Sequence, residues 1–121
     1  MAGIDDLDPA LVARLEQAGP REYWLRSALF AARQGWVEIL KNDLGQHYLY
    51  RFWATPPLIN KDRRFESEES ILLHHIIRPD SGPPHCHPWS FTSQVLSGGY
   101  VEQTFRLMVD KSDMWGDLRA F

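Results

Sequence analysis

The segment HCHPWSF, residues 85–91, follows the turn-forming run Asp80–Pro84 and is the part of the sequence that decides the predicted fold. A run containing two prolines and a glycine does not continue a helix, so the histidines enter from a turn into an extended strand. Residues two apart on a strand project from the same face, which lets His85 and His87 converge on one metal ion while Cys86 points away. Imidazole is a common ligand of zinc, iron, copper and nickel. We therefore predict a metal-ligand pair at the start of a strand; the alternative is two surface-loop histidines that only form hydrogen bonds.

The same region resembles the first motif of the cupin family. His85-x-His87, four further residues to Thr92 and six more to Gly99 follow the spacing of that motif. The likeness covers about the middle third of the chain, Leu73–Glu102, and is to small uncharacterised bacterial and phage members. It implies a cupin-type jelly roll, a divalent metal ion (Fe, Zn, Mn or Ni) and a small-molecule ligand.

Two features depart from the family pattern. Thr92 occupies the position at which the family carries a glutamate ligand, and the second motif, with its third histidine ligand, has no counterpart before Phe121. About five strands are predicted, whereas a jelly roll uses eight. Three explanations stay open: an incomplete barrel, a barrel completed by a second copy, or a truncated product.

Other side chains are weaker candidates for the metal site. Glu102 could be the third ligand or a general base, or else a solvated glutamate on an alternating strand. His74 and His75 lie in an apolar strand and must face opposite sides of it, so each is a candidate ligand or a satisfied core histidine. His47 is a weaker candidate ligand than His74 or His75.

A pocket wall is predicted beside the histidine pair. Trp89 and Phe91 share the parity of His85 and His87 along the strand, and they serve equally well as ordinary core aromatics. The hydroxyl of Thr92 could hold a metal-bound water. Cys86 is expected to be a small buried thiol rather than a nucleophile.

Composition excludes several classes of protein. The chain has 121 residues, a formal net charge of −3 and one cysteine, which suits one small domain without an internal disulfide. It has no basic cluster beyond Lys61–Arg64, which argues against a nucleic-acid partner. No apolar stretch approaches the ~20 residues of a membrane span, and the first residues lack a signal-peptide pattern, so we expect a cytoplasmic protein without a membrane partner.

The chain changes character near residue 35. Asp8-Pro9 begins a predicted helix that Gly19-Pro20 stops, and a second helix is expected from about Arg21 to Gln34. The first predicted hairpin joins strands Trp36–Lys41 and Gln46–Trp53 through a turn at Asn42–Gly45. A strand at Ile71–Arg78 follows, and a second hairpin joins Phe91–Ser97 to Tyr100–Val109 around Gly98-Gly99. We therefore expect a helical segment 1–35 and a cupin-like β domain 36–121. The predicted class is mainly β, a partial antiparallel jelly roll or β-sandwich preceded by two helices.

Two functions fit these features. The first is a small metal-binding cupin-like protein, an oxygenase or isomerase type of enzyme acting on a small molecule. The second is a non-catalytic binding or assembly module in which the histidine pair is vestigial. Open strand edges predict a homodimer in either case.

Overall fold

A computed structural model of the chain describes residues 1–57, 70–79, 91–99, 107–109 and 118–120. These residues belong to two units, Met1–Ser81 and Gly82–Phe121. The first unit holds two helices and a three-stranded sheet, and the second holds a two-stranded sheet.

Both predicted helices are present; the second ends at the expected glycine, whereas the first ends at Glu16, before the predicted stop at Gly19-Pro20. Helix α1, Pro9–Glu16, begins after Asp8, whose carboxylate accepts a hydrogen bond of 2.9 Å from the backbone N–H of Ala10. Helix α2, Tyr23–Gln34, ends at Gly35 with a left-handed φ of 76°. Such a φ is available to glycine without a steric penalty, which makes Gly35 an effective helix stop.

The predicted first hairpin is also confirmed. Strand β1, Val37–Lys41, and strand β2, His47–Trp53, are antiparallel neighbours. Between them, the side-chain oxygen of Asn42 accepts hydrogen bonds from the backbone N–H groups of Leu44 and Gln46. Strand β3, Leu72–Ile76, pairs with the other side of β2, so the sheet order is β1-β2-β3.

Alternation along the strands gives the sheet two faces. The helix face carries Val37, Ile39, Tyr50, Phe52, Leu73 and His75. The buried core consists of Leu7, Leu15, Ala28, Ala31, Ala32, Val37, Tyr50 and Phe52, so the helices pack on this face. The opposite side, called the outer face below, carries Glu38, Leu40, Leu49, Arg51, Trp53, Leu72, His74 and Ile76.

The outer edge of β1 is partly covered by the first residues of the chain. Ala2 forms an antiparallel bridge with Val37, and each backbone N–H donates to the carbonyl of the other residue, at 2.6 and 3.1 Å. A short 3-10 helix, Ile4–Asp6, follows and leads into α1.

The second unit differs from the sequence prediction. Strand β4, Leu107–Val109, pairs antiparallel with strand β5, Leu118–Ala120. The prediction of a strand at Phe91–Ser97 is wrong, because residues 91–96 have no regular secondary structure. Strand propensity is realised only where a ladder partner is in register, and β4 pairs with a later segment instead. Tyr100 to Arg106, the rest of the predicted partner strand, lies outside the described residues.

The described residues form a small mixed α/β structure rather than a mainly β one. Two helices precede an antiparallel sheet, as predicted, and residues of both helices belong to the buried core. The expected change from helix to strand near residue 35 falls between α2 and β1. A full jelly roll is not seen among the described elements. In the same residues, no helix is long and apolar enough to cross a membrane.

Candidate functional site

Four of the predicted metal and pocket residues, His85, His87, Trp89 and Glu102, lie outside the described part of the chain. Cys86, predicted to be a buried thiol, also lies outside it. The convergence of the histidine pair on a metal therefore stays a prediction.

Phe91 and Thr92, the two remaining predicted pocket residues, are described. Both are exposed and lie in an irregular segment of the second unit. The alternation of a regular strand, on which the assignment of Phe91 to the pocket wall depended, does not hold for this segment.

His74 and His75 occupy opposite faces of β3, as the strand parity predicts. His75 lies across from Tyr50 on the helix face, and His74 lies across from Arg51 on the outer face. These two histidines therefore do not contribute to one binding site on the sheet.

A row of charged and polar side chains crosses the outer face at His74. Glu38 of β1, Arg51 of β2 and His74 of β3 are direct cross-strand neighbours, and we call them the charged row. The Nε–H of Arg51 donates to Nε2 of His74 at 3.2 Å, and Nη1 of Arg51 donates to Oε2 of Glu38 at 3.3 Å. The indole N–H of Trp53 donates to Oε1 of the same carboxylate at 2.7 Å. Both oxygens of Glu38 are thus engaged, and the guanidinium of Arg51 is held from two sides.

The position of His74 favours its neutral form. Desolvation is the first cause that lowers its pKa below the ordinary value of 6.5, and the positive charge of Arg51 is the second, while Glu38 acts in the opposite direction. His74 is nevertheless an exposed residue. Since Nε2 accepts the Arg51 hydrogen bond, the proton of the neutral ring is on Nδ1.

Apolar side chains bracket the charged row on both sides. Leu40, Leu49 and Ile76 form the next cross-strand row in one direction, and Trp53 with Leu72 lies in the other. Ile76 is 44% exposed and Leu72 is 36% exposed. The outer face therefore presents a polar strip between two apolar strips, parts of which are open to solvent.

A second histidine group lies toward the helix face. Nδ1 of His47 is 3.1 Å from the hydroxyl of Tyr50, and the rings of Tyr50 and His75 are 6.2 Å apart between centroids. Desolvation lowers the pKa of His75. Tyr50 is buried in the core, whereas His75 is exposed.

Neither histidine group completes a metal site by itself. Within the described ranges, no three His, Cys, Asp or Glu side chains are placed to hold one metal ion. His74 is also a poor ligand through Nε2, because that nitrogen already accepts from a cationic guanidinium. Among the described weaker candidates, His75 is the one without a hydrogen bond on its ring.

The charged row was not predicted from the sequence. The signal that could have found it is the pairing of Glu38 with Arg51 on the predicted hairpin. However, Lys41 pairs with His47 rather than with Gln46, and an irregularity between Leu40 and Lys41 shifts the register by one more residue. Counting back from a four-residue turn pairs Glu38 with Leu49 instead.

Comparison of the chain with protein-family models, curated proteins and solved structures finds no match.

Proposed function

We propose that the chain is a small metal-binding protein of cupin type, in which His85 and His87 hold a divalent ion of iron, zinc, manganese or nickel. The observation that carries the proposal is the His-x-His spacing directly after the proline-rich residues 80–84. In the sequence these residues follow β3, a strand of an antiparallel sheet with helices on one face, which suits the start of a partial jelly roll. A metal with open coordination positions would polarise a substrate oxygen or activate bound water.

The remaining ligand is best sought outside the sheet of the first unit. The Nε2 atom of His74 is occupied by Arg51, and His75 lies on the helix face beside the buried Tyr50. Glu102 is therefore the preferred third ligand, since carboxylates complete His pairs in many catalytic sites. As a base instead, Glu102 would take a proton from a bound small molecule.

A second candidate function is a non-catalytic binding or assembly module with a vestigial histidine pair. The exposed apolar side chains of the outer face favour it, because Leu72 and Ile76 contact solvent on opposite sides of the charged row. Exposed apolar patches bordered by polar residues often mark a binding surface.

Metal analysis of the purified protein tests the first proposal. We expect bound metal in the parent protein and its loss from the double variant His85→Ala/His87→Ala, with the fold retained by circular dichroism. The matched control is His74→Ala/His75→Ala, which should keep its metal. Metal retained by the first variant and lost from the control would show that the metal is bound at β3 and not by His85 and His87. A parent protein that binds no metal would contradict the first proposal and support the non-catalytic function.

A further inference from the structure

We propose that the outer face binds a small carboxylate at Arg51, with the apolar body of that ligand lying on the neighbouring side chains Leu49 and Ile76. This site uses neither His85 nor His87 and does not depend on metal binding.

Arg51 is preorganised for such a ligand. Its Nε–H is bonded to His74 and one Nη1–H to Glu38. A guanidinium has five N–H groups, so the second Nη1–H and both Nη2–H groups are unused by any described residue. The side chain is 29% exposed, which leaves these donors a path to solvent. A fork of donors held in one orientation matches a carboxylate and loses little entropy on binding.

The charge balance of the row disfavours a dianion more than it disfavours a monoanion. Glu38 is held by Trp53 and Arg51 and compensates one positive charge. With His74 neutral, the row has no net charge, so a phosphate dianion would be poorly neutralised. A single negative charge can instead share the donors of Arg51 without placing a second uncompensated charge on the sheet. This favours a carboxylate over a phosphate.

An apolar surface lies beside Arg51. Leu49 lies two residues along β2 on the same face, and Ile76 lies across from it on β3 with 44% of its surface exposed. A ligand with a hydrocarbon or aromatic body covers this surface while its carboxylate reaches the guanidinium. Most small-molecule sites combine such apolar contact with a few fixed polar groups.

Benzoate is the probe for this site, and titration is followed by backbone amide chemical shifts. We expect benzoate to shift the amides of residues 49–51 and 74–76, and acetate and inorganic phosphate to bind more weakly. Benzamide, which has the same ring without the charge, should not bind measurably. Phosphate binding tighter than benzoate, or equal binding of benzamide, would overturn the proposal.

Arg51→Gln should weaken benzoate binding roughly ten- to hundredfold, the effect of losing a hydrogen bond to a charged group. Arg26→Gln is the matched control, since Arg26 is an exposed arginine on α2, and its benzoate affinity should equal that of the parent. If Arg51→Gln fails to fold, Arg51→Lys keeps the charge without the planar fork and should bind benzoate less tightly than the parent. Parent-like affinity in the folded Arg51 variant would refute the site.

Ile76→Ser tests the apolar contact. It should reduce the affinity for benzoate while leaving that for acetate unchanged, and an unchanged preference for benzoate over acetate would contradict the assignment of Ile76. The His85→Ala/His87→Ala variant should bind benzoate as the parent does, so a failure of the metal proposal and a failure of this one are distinguishable.

Discussion

Two adjacent histidines give the first unit a pH-dependent stability. Desolvation lowers the pKa of both His74 and His75 from 6.5. The folded state therefore binds fewer protons than the unfolded state once the pH falls below the unfolded pKa. The stability associated with the neutral rings is fully present above the pKa of the unfolded state. It is lost as the pH falls through the pKa values of the two histidines in the folded state.

We expect the double variant His74→Gln/His75→Gln to lose less unfolding free energy than the parent between about pH 7.5 and about pH 5. Urea denaturation at several pH values measures the difference. Above about pH 7.5 the two pH profiles should run parallel, since both imidazoles are then neutral. A variant that loses as much stability on acidification as the parent would show that neither ring titrates differently in the folded state.

The sequence predicts the face on which a side chain lies where this depends only on the alternation of residues along a strand. The opposite orientation of His74 and His75 follows from strand parity. The contact of Glu38 with Arg51 depends on hairpin register, which is displaced by one residue at the turn, where Lys41 pairs with His47, and by one more at the irregularity after Leu40. A single extra residue in a strand changes every pairing beyond it, and its position is not encoded in the hydrophobic pattern.

At the scale of single elements, the stop of α2 depends on one backbone conformation. Gly35 has a φ of 76°, and no atom lies within 4 Å of the place that a Cβ would occupy, so an added side chain meets no obstacle beyond its own backbone. We expect Gly35→Ala to lower the free energy of unfolding by about 1 kcal/mol, the cost of a left-handed non-glycine residue.

Gly35→Asn should cost less, because asparagine tolerates the left-handed region. Gly19→Ala is the control, because Gly19 has no positive φ and its added Cβ would make ordinary contact with Glu22 at 3.7 Å. Thermal or urea denaturation of the three variants measures these costs, and equal stability of Gly19→Ala and Gly35→Ala would contradict the role of the left-handed φ.

Elements with local stop and start signals were predictable, and elements defined by distant partners were not. Asp8, Gly35 and the Asn42–Gly45 turn each act within a few residues, and the structure places helix or strand ends at all three. Phe91–Ser97 has the composition of a strand, yet its residues 91–96 form none. The pairing of β4 with β5 joins segments whose relation no local pattern reveals.

At the scale of the whole first unit, stability depends on the contact between the helices and the sheet. Phe52 is 2% exposed in the shared core, whereas Phe30 on α2 is 54% exposed. We expect Phe52→Ala to cost about 3–5 kcal/mol of unfolding free energy. Phe30→Ala should cost about 1 kcal/mol or less, since it loses mainly an edge contact with Trp36. Similar denaturation midpoints for the two variants would place the core elsewhere.

The assembly of the chain is predicted to be a homodimer. Within the described residues, Ala2 pairs with β1 only at Val37, so the remaining outward backbone groups of β1, at Ile39 and Lys41, have no described strand beside them. Such an edge can pair with a second copy. Sedimentation at micromolar concentration should give a mass near twice 14.1 kDa. A constant monomer mass over the concentration range would refute the dimer.

Because of the bridge between Ala2 and Val37, hydrogen exchange of the Val37 amide reports whether the first residues of the chain are bound to β1. The Val37 N–H donates to the Ala2 carbonyl rather than to β2, so it becomes accessible to solvent deuterium when the first residues detach. Amides between β1 and β2 exchange only when the sheet itself opens. The ratio of the two exchange rates therefore gives the free energy of detaching the amino-terminal segment, separately from that of unfolding the sheet.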